Sequence, residues 1–110
     1  MAKFIMMFRG GTVPPEQYEE HGKAWSAWFE ELGASGKLVD SGAPLVQGGK
    51  SVSAGGEVLD YDWKTDSNVN GFSILEVDNI DDAVALSKGC PALDPAFIDG
   101  KVEVRELSAI

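Results

Sequence analysis

Between Pro14 and Leu45 the hydrophobic and polar positions change period, which predicts a long helix running directly into a strand. Tyr18, His21, Trp25, Trp28, Phe29 and Leu32 recur at steps of three and four, one stripe of a helix with 3.6 residues per turn. Glu16, Gln17, Glu19, Glu20, Lys23, Ser26, Glu30 and Glu31 fill the other face. Pro14 and Pro15 suit a first turn, where an amide hydrogen has no intrahelical partner to lose. Glu16, Glu19 and Glu20 then lie near the positive end of the helix dipole. Gly33 and Gly36 supply the left-handed backbone that stops a helix. A stripe this aromatic needs a broad apolar surface, and a sheet provides one.

The flanking patterns supply that sheet. Phe4-Ile5-Met6-Met7-Phe8 is a short run apolar on both of its faces, the mark of an inner strand covered on each side. The helices cover one side. So short a chain has little left for the other, so a homodimer that lays a second sheet there is the economical expectation. Lys37 to Ser41 forms the next strand, closed by Gly42-Ala43-Pro44. Lys50–Ser53 and Glu57–Asp60 flank Ala54-Gly55-Gly56 as a polar hairpin at the sheet edge or projecting from it. Tyr61 to Asn70 has no period and is a loop. Gly71 to Val77 returns to strand character. Asp78 or Asn79 then caps a helix over Ile80–Lys88 whose inner face is Ile80, Ala83, Val84 and Ser87. Gly89 and Pro91 end it, Pro91–Asp99 is a loop, and Val102 and Val104 alternate with charges in a last strand.

The order strand, helix, strand, hairpin, strand, helix, strand is an α+β, ferredoxin-like βαββαβ layout with an extra hairpin. Its helices lie on one face of an antiparallel sheet. A length of 110 residues with 44% hydrophobic content makes residues 1–110 a single domain, since a second would lack a core of its own. The net charge of −9 opposes binding to nucleic acid or an anionic membrane surface, because phosphates are repelled. A single cysteine, Cys90, rules out an internal disulfide framework and any multi-cysteine metal site. No secretory pattern opens the chain and no apolar run reaches membrane-span length, so the expected location is cytoplasmic. No cofactor or metal motif is present.

The chemistry-bearing residues are few, and each has a plain reading. His21 lies on the apolar stripe, where a partly buried helix residue with a satisfied hydrogen bond is the plain reading. The sharper one is a general acid or base oriented by a carboxylate, with Asp40 the first candidate and Asp60 and Asp62 next. Arg9 ends the inner strand before Gly10-Gly11, either as an anion-binding handle or as half of an ion pair with one of 18 acidic residues. Trp25, Trp28, Phe29 and Trp63 are core, or else walls of a ligand cavity between helix and sheet. Asp60 stands beside the irregular loop that carries Trp63. Cys90 reads as a small packing residue.

Several segments together resemble the YCII-related family, in the branch named for an Asp-Gly-Pro-Phe motif. They include Lys3-Phe4-Ile5-Met6-Met7-Phe8-Arg9-Gly10-Gly11, Trp28-Phe29-Glu30-Glu31-Leu32, Gly36-Lys37-Leu38 and Gly42-Ala43-Pro44-Leu45. Gly71-Phe72, Asp81-Asp82-Ala83-Val84-Ala85, Gly89-Cys90-Pro91 and Val102-Glu103-Val104-Arg105 follow in the same order. Asp60-Tyr61-Asp62-Trp63 stands where the naming motif belongs, and the helix histidine of the smaller branch falls near Trp25, one turn after His21. The resemblance implies a dimeric α+β barrel, two ferredoxin-like sheets face to face. It also implies a superfamily of enzymes and ligand binders, a His–Asp pair in the smaller branch, and a link to transcription initiation in this one.

Three functions follow as expectations. The first is a dimeric domain binding a small apolar or weakly anionic molecule in a cleft between helix and sheet. The catalytic candidates there are His21 and Asp40, and the ligand-binding ones are Arg9, Trp25, Trp28, Asp60 and Trp63. The alternatives are a non-catalytic regulatory or interaction module, and a small enzyme with a His–carboxylate pair.

Overall fold

The computed structural model describes residues 1–10, 13–61, 68–94 and 100–108. In chain order these form β1 (Ala2–Arg9), α1 (Tyr18–Ala34), β2 (Leu38–Pro44), β3 (Lys50–Val52) and β4 (Val58–Asp60). There follow β5 (Val69–Val77), α2 (Ile80–Ser87) and β6 (Lys101–Glu106). Short 3₁₀ turns at Pro15–Gln17 and Pro91–Leu93 lead into α1 and follow α2. Four strands pair in the order β2-β5-β1-β6, every pairing antiparallel, which is the ferredoxin-like arrangement.

Cross-strand register decides which residues share a face. Phe4, Met6 and Phe8 of β1 stand opposite Leu75, Ser73 and Gly71 of β5, and Met6 and Phe8 also oppose Val104 and Val102 of β6. This face is buried under the helices. Phe4, Met6, Leu75 and Val77 form one core with Trp28 and Leu32 of α1 and Ala83 of α2. Ser73 is polar yet fully buried, and its hydroxyl donates to the Ser41 carbonyl at 2.7 Å, which satisfies it.

On the opposite face Ile5 stands against Ile74 and Met7 against Phe72, all four half-buried. Lys3, Glu76, Glu103 and Arg105 surround them. The domain is flat, 43 × 43 × 18 Å, with a radius of gyration of 15.0 Å; a rounded domain of this length has about 13 Å. The β3–β4 hairpin forms its own two-stranded sheet and is exposed along its whole length.

Two elements depart from the pattern-based expectation. Gly42-Ala43-Pro44 does not close β2. The strand continues to Pro44 through two register irregularities. Gly42 makes this possible: its φ is +68°, and a Cβ there would lie 1.7 Å from the Phe72 carbonyl oxygen. In α2, Ala83 and Ser87 are buried as expected, but Ile80 and Val84 are exposed. Leu86 takes the inward place against the core, so the true face is Ala83, Leu86 and Ser87. Asn79, one of the two expected caps, accepts the Asp82 amide at 2.9 Å.

Candidate functional site

A cavity of about 650 Å³ lies where β1 and β2 end beside the N-terminal half of α1. The 3.6-residue period of α1 brings Tyr18, His21, Trp25 and Phe29 to it in successive turns. Phe8 closes the floor from the helix side of the sheet. Phe72 and Ala43, which oppose each other across β5 and β2, line it from the other side. The cavity therefore draws on both faces at the end of the sheet.

The aromatic walls are ordered by edge and stacking contacts. Phe8 meets Trp25 edge-on at 4.8 Å between ring centroids, and Trp25 stacks on Phe29 at 5.7 Å. The Trp25 indole N–H donates to His21 Nε2 at 2.7 Å, one turn back along the helix. That bond requires an unprotonated Nε2, so the neutral ring carries its hydrogen on Nδ1. Burial pushes the His21 pKa below its usual 6.5, which favours the same neutral form.

Arg9 lines the cavity, and its guanidinium is ion-paired with Glu103 of the neighbouring β6. Asn70 fixes the adjacent turn: its Nδ2 donates to the Gly10 carbonyl at 2.7 Å, and its Oδ1 accepts from Asn68. The Gly10 amide donates back to the Asn68 carbonyl at 2.9 Å. Although the chain has 18 acidic residues, the described lining contains no carboxylate. Its polar groups are Arg9, Tyr18, His21, Ser41, Gln47 and Asn70.

The other residues singled out in the sequence are placed elsewhere. Trp28 is buried in the core, edge-on to Phe8 at 6.1 Å, and faces a separate hollow of about 490 Å³ between α1 and the Gly89–Asp94 segment. Asp40 does not line the aromatic cavity; its carboxylate accepts the Gly42 amide at 2.7 Å and so holds the irregularity in β2. Asp60 pairs with Lys50 across the exposed hairpin. Asp62 and Trp63 lie outside the described residues. Cys90 is buried, and desolvation pushes its thiol up to about 12. Among the described residues, no three His, Cys, Asp or Glu side chains gather as a metal site needs.

Tyr18, Gln47, Asn70 and Phe72 were not singled out by sequence as site residues. Tyr18 belongs to the helix stripe and carried that signal. Asn70 and Phe72 lie on β5 and Gln47 in the segment that follows β2, and the pairing of β2 with β5 brings these segments together.

No family model matches the chain, and no curated protein matches it. One similar solved structure is 5-chloro-2-hydroxyhydroquinone dehydrochlorinase from Burkholderia phenoliruptrix AC1100, in complex with 2,5-dihydroxybenzoquinone. It shares 19% identity with a TM-score of 0.49, over 96% of this chain and 93% of that one. Among the described residues, no helix is long and apolar enough to cross a membrane.

Proposed function

We propose that this domain binds a small, planar, largely apolar molecule, neutral or weakly anionic, in the cavity between α1 and the end of the sheet. The observation that carries this reading is the composition of the cavity. Five aromatic residues, Phe8, Tyr18, Trp25, Phe29 and Phe72, line a space of about 650 Å³ that also holds one cation and no carboxylate among its described lining. Small-molecule sites commonly have volumes of ~300–1,000 Å³, apolar walls and a few polar groups. Packing alone does not account for an unfilled space so lined.

Each side chain has a role in such a site. Trp25 and Phe29 offer flat faces to a ring, and the indole–imidazole hydrogen bond holds Trp25 in place. Arg9 supplies the positive charge, held in orientation by Glu103, for an acidic substituent. Tyr18 and Asn70 supply neutral hydrogen-bonding groups.

The reading extends to a homodimer, supported by the half-buried Ile5, Met7, Phe72 and Ile74 on the face away from the helices. The probe for the cavity is 4-fluorobenzoate, a weakly anionic ring followed by ¹⁹F NMR. Saturable binding by the native chain is the expected result, lost in Arg9→Ala and in His21→Ala while the dimer persists. Unchanged binding in both variants would remove the cavity as the site.

A further inference from the structure

We infer that Glu103, on β6 and outside the described lining, sets the charge selectivity of the aromatic cavity, turning it towards rings whose polar substituent is neutral or weakly acidic and away from carboxylates. This rests on the small-molecule reading of the cavity and adds the residue that decides which substituent Arg9 accepts.

A bulge brings Arg9 to the cavity. Phe8 stands opposite Gly71, yet the next residue, Arg9, stands opposite Val69, so Asn70 is an extra residue in β5. Bulges of this kind re-aim side chains beside a site. Here Arg9 and Asn70 both enter the lining. On the other flank the register is regular, with Arg9 opposite Lys101 and Met7 opposite Glu103. Glu103 is therefore the diagonal neighbour of Arg9 on one face of the sheet, within reach of a long side chain. Arg9 Nη1 donates to Glu103 Oε1, and the two side chains are 30% and 34% exposed, so neither charge is fully screened by water.

A guanidinium paired in this way attracts an anion less than a bare one does. A ligand carboxylate at Arg9 competes with Glu103 for the same N–H groups and meets the repulsion of the carboxylate already there. A neutral hydroxyl, carbonyl or amide oxygen accepts from the guanidinium without that repulsion. The other charges near the pair, Lys101 and Arg105 on β6, are exposed, where water and salt weaken them. The rest of the described lining is uncharged while His21 is neutral, and the net charge of −9 adds a background unfavourable to anions.

The test compares two ¹⁹F probes of nearly the same shape on the intact chain: 4-fluorobenzoate, ionised at neutral pH, and 4-fluorobenzamide, which carries no charge. The readout is the ratio of their affinities, which a general change in packing or stability moves little. Glu103→Gln keeps an oxygen acceptor for Arg9 and removes the charge. Lys101→Glu, at an exposed position opposite Arg9, adds a second carboxylate beside the pair. It also decides the matter if far-UV circular dichroism shows Glu103→Gln misfolded.

The native chain should bind the amide at least as tightly as the benzoate. Glu103→Gln should shift the ratio towards the benzoate by about fivefold, the scale of a partly exposed ion pair, and Lys101→Glu should shift it towards the amide. A ratio unchanged in folded Glu103→Gln, or moved towards the amide, overturns the role of Glu103 and leaves the cavity reading intact. With Glu103→Gln misfolded, a ratio unchanged in Lys101→Glu has the same force. A native chain that prefers the benzoate overturns the role as well. A native chain that binds neither probe defeats the cavity reading, and the selectivity with it.

Discussion

Replacing Gly42 by alanine tests whether one close backbone contact holds the cavity's β2 wall in place. The new Cβ would sit 1.7 Å from the Phe72 carbonyl oxygen and 2.6 Å from its carbon, both backbone atoms that cannot rotate away. Relief therefore requires β2 to move off β5. The φ of +68° at this position adds about 1–2 kcal/mol for any residue with a Cβ. Separation of the strands also strains the Leu45 amide bond to the Asn70 carbonyl at 2.7 Å and the Ser73 bond to Ser41. These contribute about 1 kcal/mol each. The total is about 3–4 kcal/mol, a large share of the ~5–15 kcal/mol that holds a domain folded. Urea denaturation should show the midpoint falling accordingly, with Tm lower by roughly 12–16 °C at about 4 °C per kcal/mol.

Gly22→Ala is the internal control, because a Cβ there meets nothing within 4 Å and the position lies inside α1. That variant should be more stable by about 0.5–1 kcal/mol from helix propensity alone. Ser41, Ala43 and Pro44 line the cavity on either side of Gly42, so Gly42→Ala should also lose probe binding. A Gly42→Ala protein within about 1 kcal/mol of native would refute the claim that this contact sets the strand.

Further outcomes follow from the same structure. The His21 pKa is lowered by burial, so its contribution to stability is complete above the unfolded value of 6.5 and is lost as pH falls through the lower folded value. The urea midpoint should accordingly drop between about pH 7.5 and about pH 5 by more in the native chain than in His21→Gln, and equal drops would contradict this. Cys90, buried and with its thiol pushed up to about 12, should resist a disulfide reagent in the native state and react on unfolding; fast labelling of folded protein is the contrary result. Asn79→Ala should cost about 0.5–2 kcal/mol by removing the cap on α2, checked by thermal melting.

The elements whose faces are set by local period were legible in the sequence. The Tyr18–Leu32 stripe predicted α1, its contact with the sheet, and four residues of the cavity lining, Tyr18, His21, Trp25 and Phe29. The two-sided apolarity of Phe4–Phe8 identified an inner strand. Features set by cross-strand register were not legible. Nothing local to Gly42 reveals that its hydrogen faces the Phe72 carbonyl, so β2 looked shorter than it is. Asp40 and Asp60 illustrate the same limit: a carboxylate serves whichever donor is nearest, here the Gly42 amide and the Lys50 ammonium. The far wall at Asn70 and Phe72 follows from the pairing of β5 with β2, a relation between segments with no periodic signature in either.

The most direct test follows the tryptophan indole resonances in ¹H–¹⁵N spectra while 4-fluorobenzoate is added. Trp25 forms a wall of the cavity, whereas Trp28 packs in the core and faces the separate hollow. A saturable shift of the Trp25 indole, with Trp28 nearly still, is the predicted result. Shifts of both indoles that grow in proportion without saturating, or no shift of Trp25, would contradict the assignment of this cavity as a binding site.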